Sequence, residues 1–343
     1  MKKRLKDIAE MAQVSTATVA RVIKNNGYVS KDVRDRVERI LKEMNYVPNK
    51  VAQGLKSQRT GMIGHILPTA YPNPFFANIA QGVDHEALEN DYHVLSLYSY
   101  GNAEREAQLI TELASRMVDG IVITQACSKE NVKRIVKMGL PVVMIERQFN
   151  IPGIEKVLVD TYNGAYSATM ELIRKGHVSV GFIGKAPEPD PHSKVEMDRY
   201  QGYLDAMKDA GLVRNPHQVI LMDDYIPAKG YEAMKNMLES SLPTAIFVAS
   251  DMLAVGVLQC LYDHEIRVPR DVSLIGFDNT YSDITMPPLS TVALPMQEMG
   301  KTAVQLIMNR IENPSSHLKN VTLHTSLIER HSVADLNLLK KGH

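Results

Sequence analysis

Cysteine is scarce: Cys127 and Cys260 are the only two in 343 residues. Each sits in or beside an apolar run without the spacing of metal ligands, so buried thiols in a reducing compartment are expected, with no metal and no cofactor. No apolar run is long enough to span a bilayer. The basic start Met1-Lys2-Lys3-Arg4 is not followed by the apolar stretch of a secretion signal, so a cytoplasmic place is expected. Catalytic signatures are missing as well. There is no Gly-x-x-x-x-Gly-Lys-Ser/Thr and no Gly-x-Ser-x-Gly. His85-Glu86 and His264-Glu265 lack the second histidine of a zinc protease, and Gly181-Phe182-Ile183-Gly184 is too short for a dinucleotide fingerprint. These absences point away from an enzyme. A chain of this length has room for about two or three domains.

Net charge is also missing, with 39 basic residues against 39 acidic ones, but the charge is unevenly placed. Residues 1–60 hold 14 Lys and Arg against 6 Asp and Glu, a net of +8, and the remainder carries −8. A basic head on an acidic body suits a polyanionic partner. Within the head, Leu5, Ile8, Ala9 and Ala12 recur at helical spacing, and Gln13-Val14-Ser15 breaks the period. Ser15 is placed to cap a second helix over about Thr16 to Lys24. A third, from Ser30, has Val33, Val37, Ile40, Leu41 and Met44 as its apolar stripe. Three short helices with a tight connection form a helix-turn-helix pattern. Ser15, Thr16, Ala17, Thr18 and Arg21 face outward on the second helix, with Asn25 just past its end. Small side chains let a recognition helix approach base edges, and an arginine can reach guanine or phosphate. In the next segment Pro48 stops the third helix and Asn49 can cap a short fourth one. Two turns of helix are marginal alone in water. Val51, Ala52 and Leu55 share one face between Lys50 and Lys56, which reads as a minor-groove wedge or, more plainly, as a linker.

From Gly61 short apolar runs alternate with amphipathic stretches. Met62–Leu67, Val94–Tyr98, Gly120–Ile123, Val142–Ile145, Val180–Ile183, Ala245–Val248 and Leu274–Phe277 read as buried strands. Glu104–Ala114, Tyr162–Arg174 and Met252–Tyr262 read as helices between them. The alternation predicts an α/β body of doubly wound parallel sheets, in two lobes around a cleft. Ligands then bind outside the carboxyl ends of the strands. Asn73, Phe75, Phe76, Glu146, Arg147, Ser250 and Asp278 follow strands, and Arg199 and Tyr225 lie in connections of the second lobe. Aromatic faces, carboxylates and a guanidinium are the mix that stacks on a sugar ring and bonds its hydroxyls. The expected boundaries are a head over 1–46, a hinge over 47–60, a core over 61–334 and a tail over 335–343. Lobe one takes about 61–161 and 293–322, lobe two about 162–292 and 323–334.

The stretch from Leu5-Lys6-Asp7-Ile8-Ala9 through Ser15-Thr16-Ala17-Thr18-Val19-Ala20-Arg21-Val22 resembles the lactose/galactose repressor family. So does Asn45-Tyr46-Val47-Pro48-Asn49 with Val51-Ala52-Gln53-Gly54-Leu55. The resemblance continues through Arg267-Val268-Pro269-Arg270-Asp271-Val272-Ser273-Leu274-Ile275-Gly276-Phe277-Asp278 and Leu327-Ile328-Glu329-Arg330, and so spans nearly the whole chain. It implies a regulator, a repressor of a carbohydrate operon, that binds a palindromic operator as a homodimer under the control of a small effector. Thr16, Ala17 and Arg21 would read bases and Leu55 would intercalate at the operator centre. The core would share the fold of periplasmic sugar-binding proteins. Asn73, Phe75, Phe76, Glu146, Arg147, Arg199, Tyr225 and Asp278 resemble a ribose-type pocket. Ser250 and Leu294 stand where that type has amides, and Glu146 is one methylene longer than the usual Asp, so the resemblance implies a sugar rather than ribose itself. Phe75, Phe76, Arg199 and Asp278 fit purine-type pockets too, which leaves a nucleobase or a phosphorylated metabolite open. A transport-type binding protein is the third reading, disfavoured by the basic head. The run Pro187-Glu188-Pro189-Asp190-Pro191-His192 suggests an ordered loop over the cleft, with His192 a contact, or a plain surface loop.

Overall fold

In the computed structural model, which describes residues 4–23, 25–46, 59–69, 73–147, 149–187 and 194–341, the chain divides into two units at the 60/61 boundary. The first holds helices α1 (Leu5–Met11), α2 (Thr16–Ile23) and α3 (Lys31–Glu43). Their shared core is the periodic apolar set of the sequence: Ile8, Ala12, Val19 and Val37 are wholly buried. Gln13 takes the left-handed conformation, φ 54°, which turns the chain between α1 and α2. Ser15 Oγ accepts from Thr18 N at 3.1 Å, so the serine caps α2 as its position predicts. Ser30 precedes α3 but its hydroxyl makes no capping bond. The hinge residues Asn49, Lys50, Val51, Ala52, Leu55 and Lys56 lie outside the described residues, as does His192 with the run from 188 to 193.

The second unit contains twelve described strands: β1 (Met62–Leu67), β2 (His93–Tyr98), β3 (Gly120–Thr124), β4 (Val142–Ile145), β5 (Glu155–Val159), β6 (Val180–Lys185), β7 (Val219–Met222), β8 (Ala245–Val248), β9 (Ser273–Asp278), β10 (Ser290–Ala293), β11 (Asn320–Leu323) and β12 (Ser326–Ile328). Helices run between them: α4 (Pro74–Glu89), α5 (Ala103–Ser115), α6 (Lys129–Lys137), α7 (Thr161–Arg174), α8 (Val195–Asp209), α9 (Pro227–Leu238), α10 (Asp251–Asp263), α11 (Met296–Glu312) and α12 (Leu336–Lys341). The strands form two six-stranded sheets, in the orders β11-β5-β4-β3-β1-β2 and β12-β10-β9-β8-β6-β7. The first is parallel throughout, and the second has one antiparallel pairing, between β10 and β12.

The chain changes sheet three times, after β5, after β10 and between β11 and β12. Each lobe is therefore assembled from separate stretches of sequence. Most strands that an apolar run marks are central ones, buried on both faces as parallel sheets require; β2, expected to be buried, is instead a half-exposed edge strand. Strands β5, β10, β11 and β12 carry charged or hydroxyl residues, and composition does not announce them; β7 is an apolar run, Val219-Ile220-Leu221-Met222, that was not singled out. One buried cluster runs through both lobes, from Phe75, Val122 and Val143 to Phe182, Phe247 and Phe277. Separate clusters fill the outer faces of the first and second sheets. No described helix is long and apolar enough to cross a membrane.

Helix pairs in both lobes cross backbone to backbone at glycine. A Cβ on Gly82 of α4 would collide with Gln297 O of α11, and one on Gly300 of α11 with Ile79 O. In lobe two a Cβ on Gly230 would meet Leu253 O, and one on Gly256 would meet Pro227 O. These obstacles are backbone atoms, so the helices must separate to admit even a methyl group. Gly256→Ala is expected to cost about 1–3 kcal/mol or more of stability, as overpacking does. Thermal unfolding would show it, and an unchanged midpoint would mean the helices separate freely.

Candidate functional site

The strand ends meet in a cleft between the two sheets. Its cavity, about 340 Å³, is lined by Asn73, Phe75, Phe76, Glu146, Arg147, Arg199, Tyr225, Ser250 and Asp278, so all nine residues singled out from the sequence come together. Gln125, Lys185 and Glu196 also line it and were not singled out. The rule that points to Glu146 after β4 points equally to Gln125 after β3 and to Lys185 at the end of β6. Glu196 lies three residues before Arg199 on α8, hence on the same helix face.

Local backbone turns aim these groups. Gln125, Glu146 and Asp278 all have positive φ, at 50°, 71° and 105°. That conformation is costly for residues with a Cβ and is kept where surrounding structure enforces it, often at binding sites. Two of the polar residues also serve the scaffold. Asn73 Oδ1 accepts from Phe75 N at 3.0 Å and so caps α4. Ser250 caps α10 through Met252 N at 3.3 Å while its hydroxyl donates to Asp278 Oδ2 at 2.9 Å. Phe75 and Phe76 pack edge to face, their centroids 5.2 Å apart.

Arg199 organises the second-lobe side. Its Nη1 donates to Ala249 O at 2.6 Å and its Nη2 to Asp278 Oδ1 at 2.9 Å. Its guanidinium lies 4.2 Å from the Phe277 ring centroid and 5.8 Å from that of Tyr225. Burial pushes the Asp278 carboxyl up, and the Arg199 charge and the Ser250 hydroxyl pull it back. Arg199 Nε and Tyr225 Oη, both buried, meet no partner among the described residues. Across the cleft Glu146 accepts from Gln125 Nε2 at 2.6 Å. Burial raises its carboxyl to about 7, the Gln125 bond and the Arg199 charge oppose the rise, and the Asp278 and Glu196 charges add to it. The lobes are thus close enough for their charges to feel one another.

In the head, Ser15, Thr16, Ala17, Arg21 and Asn25 are exposed and Thr18 is half-buried, its hydroxyl 2.9 Å from that of Ser15. Asn25 has a structural bond as well, accepting from Arg34 Nη1 at 2.9 Å. Tyr28, in the loop after α2, is 92% exposed and escaped the sequence reading because it breaks no helical pattern. A small helical head with this outward face, and a two-lobed body around a polar cleft, define a DNA-binding regulator with an effector-binding core.

Comparison with known proteins agrees. Residues 4–49 match the model of bacterial regulatory proteins of the lacI family, and residues 169–333 that of a periplasmic binding protein-like domain. The chain is 35% identical to a ribose operon repressor of Haemophilus influenzae over 334 residues, 97% of this chain and 99% of that protein. It is 32% identical to the transcriptional repressor PurR of Escherichia coli, over 96% of this chain and 97% of that one. A solved LacI family regulator from Enterococcus faecium with bound ribose superposes with a TM-score of 0.71 at 26% identity, covering 80% of this chain and 99% of that one. The chain belongs to the LacI family of bacterial transcriptional regulators. It is a DNA-binding repressor with a two-lobed effector-binding core, not an enzyme.

The Glu146 carboxyl sets a pH dependence. Held at about 7 in the folded chain and near the ordinary 4.5 when unfolded, it binds more proton in the folded state. Its contribution to stability is therefore full below the unfolded value and lost as pH rises from there through 7. Glu146→Gln removes the cost of ionisation. Thermal unfolding should find the variant more stable than the parent at pH 8, by about 1–3 kcal/mol, with the gap closing by pH 5. An equal gap at both would mean that Glu146 ionises freely.

Proposed function

We propose that the cleft binds a small uncharged sugar, and that its occupancy sets the affinity of the head for a palindromic operator of a carbohydrate operon. The observation that carries this is the balance of charge in one cavity. Three cations, Arg147, Lys185 and Arg199, face four acids, Glu146, Glu196, Asp224 and Asp278. With the Glu146 carboxyl raised to about 7, the cavity is near neutral around pH 7. A phosphate would bring two negative charges with no spare cation to meet them, whereas sugar hydroxyls suit paired acids and bases. The name of the Haemophilus relative and the ribose in the Enterococcus structure support the same class. A nucleobase is the second reading, favoured by the Phe75–Phe76 pair and by the PurR relative.

Two copies pair through the body, mainly the first lobe, and lobe two offers a further face. On lobe two, Ile284 and Met286 stand 75% and 89% exposed beside an apolar groove lined by Met252, Val255 and Leu258, a face that a second copy would cover. Pairing brings two heads to adjacent half-sites, with Ser15, Thr16, Ala17, Thr18, Arg21 and Asn25 toward the DNA. The hinge residues Asn49, Lys50, Val51, Ala52, Leu55 and Lys56 come together at the operator centre. Effector closes the cleft and alters that arrangement, a coupling between two sites. The protein works in the cytoplasm, on the nucleoid.

Isothermal titration of the full chain with pentoses, hexoses, their phosphates and purines tests the ligand class. A neutral sugar is expected to bind, and a purine that binds where no sugar does overturns the reading. For the DNA face, Arg21→Ala should weaken binding to an operator selected from random-sequence DNA by about 1–3 kcal/mol in fluorescence anisotropy. Unchanged affinity would remove Arg21 from base recognition.

A further inference from the structure

Tyr225 stands between the end of β7 and the start of α9, where Pro227 opens the helix. Its ring is flanked by two cations, with Lys185 Nζ 5.9 Å and the Arg199 guanidinium 5.8 Å from its centroid. Lys185 Nζ lies in turn 3.9 Å from Glu196 Oε1. All four side chains line the cleft. The ring is held, but its hydroxyl is buried and meets no partner among the described residues, and the same is true of the nearby Arg199 Nε. A buried hydroxyl without a partner is destabilising, and a folded protein retains one where something else completes it. Cations against the ring draw electron density from the phenol and make its O–H a better donor. Burial pushes its ionisation well above the ordinary range, so at neutral pH the group keeps its proton.

We propose that Tyr225, with Lys185 and Glu196 beside it, forms a subsite that selects the effector by one neutral hydroxyl. The hydroxyl oxygen accepts from Tyr225 Oη and its hydrogen is donated to the Glu196 carboxylate. Only a group that both accepts and donates satisfies this pair. A phosphate or carboxylate would set its charge against Glu196, and a bare methylene would leave the tyrosine unanswered. A site built around a hydroxyl rejects the analogue that lacks it far more strongly than an apolar pocket rejects an extra one. The proposal rests on the reading of the cleft as a sugar site, and adds which end of it discriminates and by what chemistry.

The test uses the full-length protein and its Tyr225→Phe variant, titrated with D-ribose, its 2-deoxy and 5-deoxy derivatives, ribose 5-phosphate and hypoxanthine. One deoxy derivative should bind the parent roughly 10- to 100-fold more weakly than ribose does. In the variant the penalty for that derivative should shrink, because the phenol's bond is already gone and only the bond to Glu196 is left to lose. A deoxy penalty that persists undiminished in the variant, or tighter binding of ribose 5-phosphate than of ribose, overturns the subsite. Thermal unfolding without ligand gives an independent arm. Removing an unanswered hydroxyl leaves the midpoint unchanged or higher, whereas a fall means that Tyr225 Oη is bonded within the protein, and the subsite fails. If none of the probes binds the parent, ribose and hypoxanthine are removed as effectors, and the midpoint of the unliganded variant still decides whether the hydroxyl is kept for a ligand.

Discussion

A guanidinium and a carboxylate, both almost wholly removed from water, meet at 2.9 Å between Arg199 and Asp278. Burying the two charges costs several kcal/mol each, and their attraction offsets this only if the remaining hydrogen-bonding capacity is satisfied. The surroundings do much of that. Ala249 O, at the end of β8, takes the other arm of the arginine, and Ser250 bonds the second carboxylate oxygen. Three elements, α8, the β8–α10 junction and the end of β9, are pinned together at one point. Asp278 reaches that point only because its backbone sits at φ 105°. The aromatic walls from Phe277 and Tyr225 close over the guanidinium. The polar character of the second-lobe side of the cleft follows from this pair.

The first-lobe side answers with a different kind of group. Glu146 bonds an amide rather than a cation and stays poised near neutrality. One wall of the cleft thus carries a fixed, compensated dipole, and the other a carboxyl whose charge depends on what faces it.

Much of this was legible in the chain. Central strands such as Val142–Ile145 and Ala245–Val248 are unbroken apolar runs because both faces of a parallel sheet are covered, and their bounds match the sequence reading residue for residue. Placing the ligand at strand ends then located seven of the nine lining residues, because topology puts those ends on one cleft, while Arg199 and Tyr225 came from the connections of the second lobe. Of the edge strands only β2 was marked by its residues. Val219–Met222 is apolar but short and partly exposed, so it shows no alternation, and Ser326–Ile328 is too short for any pattern. Lys185 stands at the end of β6, two residues past the apolar run Val180–Ile183, and Glu196 is inside a helix. The glycine crossings depend on how two helices approach, which no single segment encodes. The hydrogen bonds that Asn73 and Ser250 accept from helix N-termini were not visible either, since capping and ligand contact favour the same residue types.

The threefold passage between lobes has a consequence for synthesis. Lobe one owns β1 through β5 but also α11 and β11, which are translated only after nearly all of lobe two. On the ribosome its sheet waits with β5 as an open edge and with α4 lacking its partner helix until residues beyond 296 emerge. The helical head, by contrast, has its whole core within the first sixty residues and can fold at once. The nascent chain therefore carries a finished reader of DNA well before the cavity that is to govern it has closed.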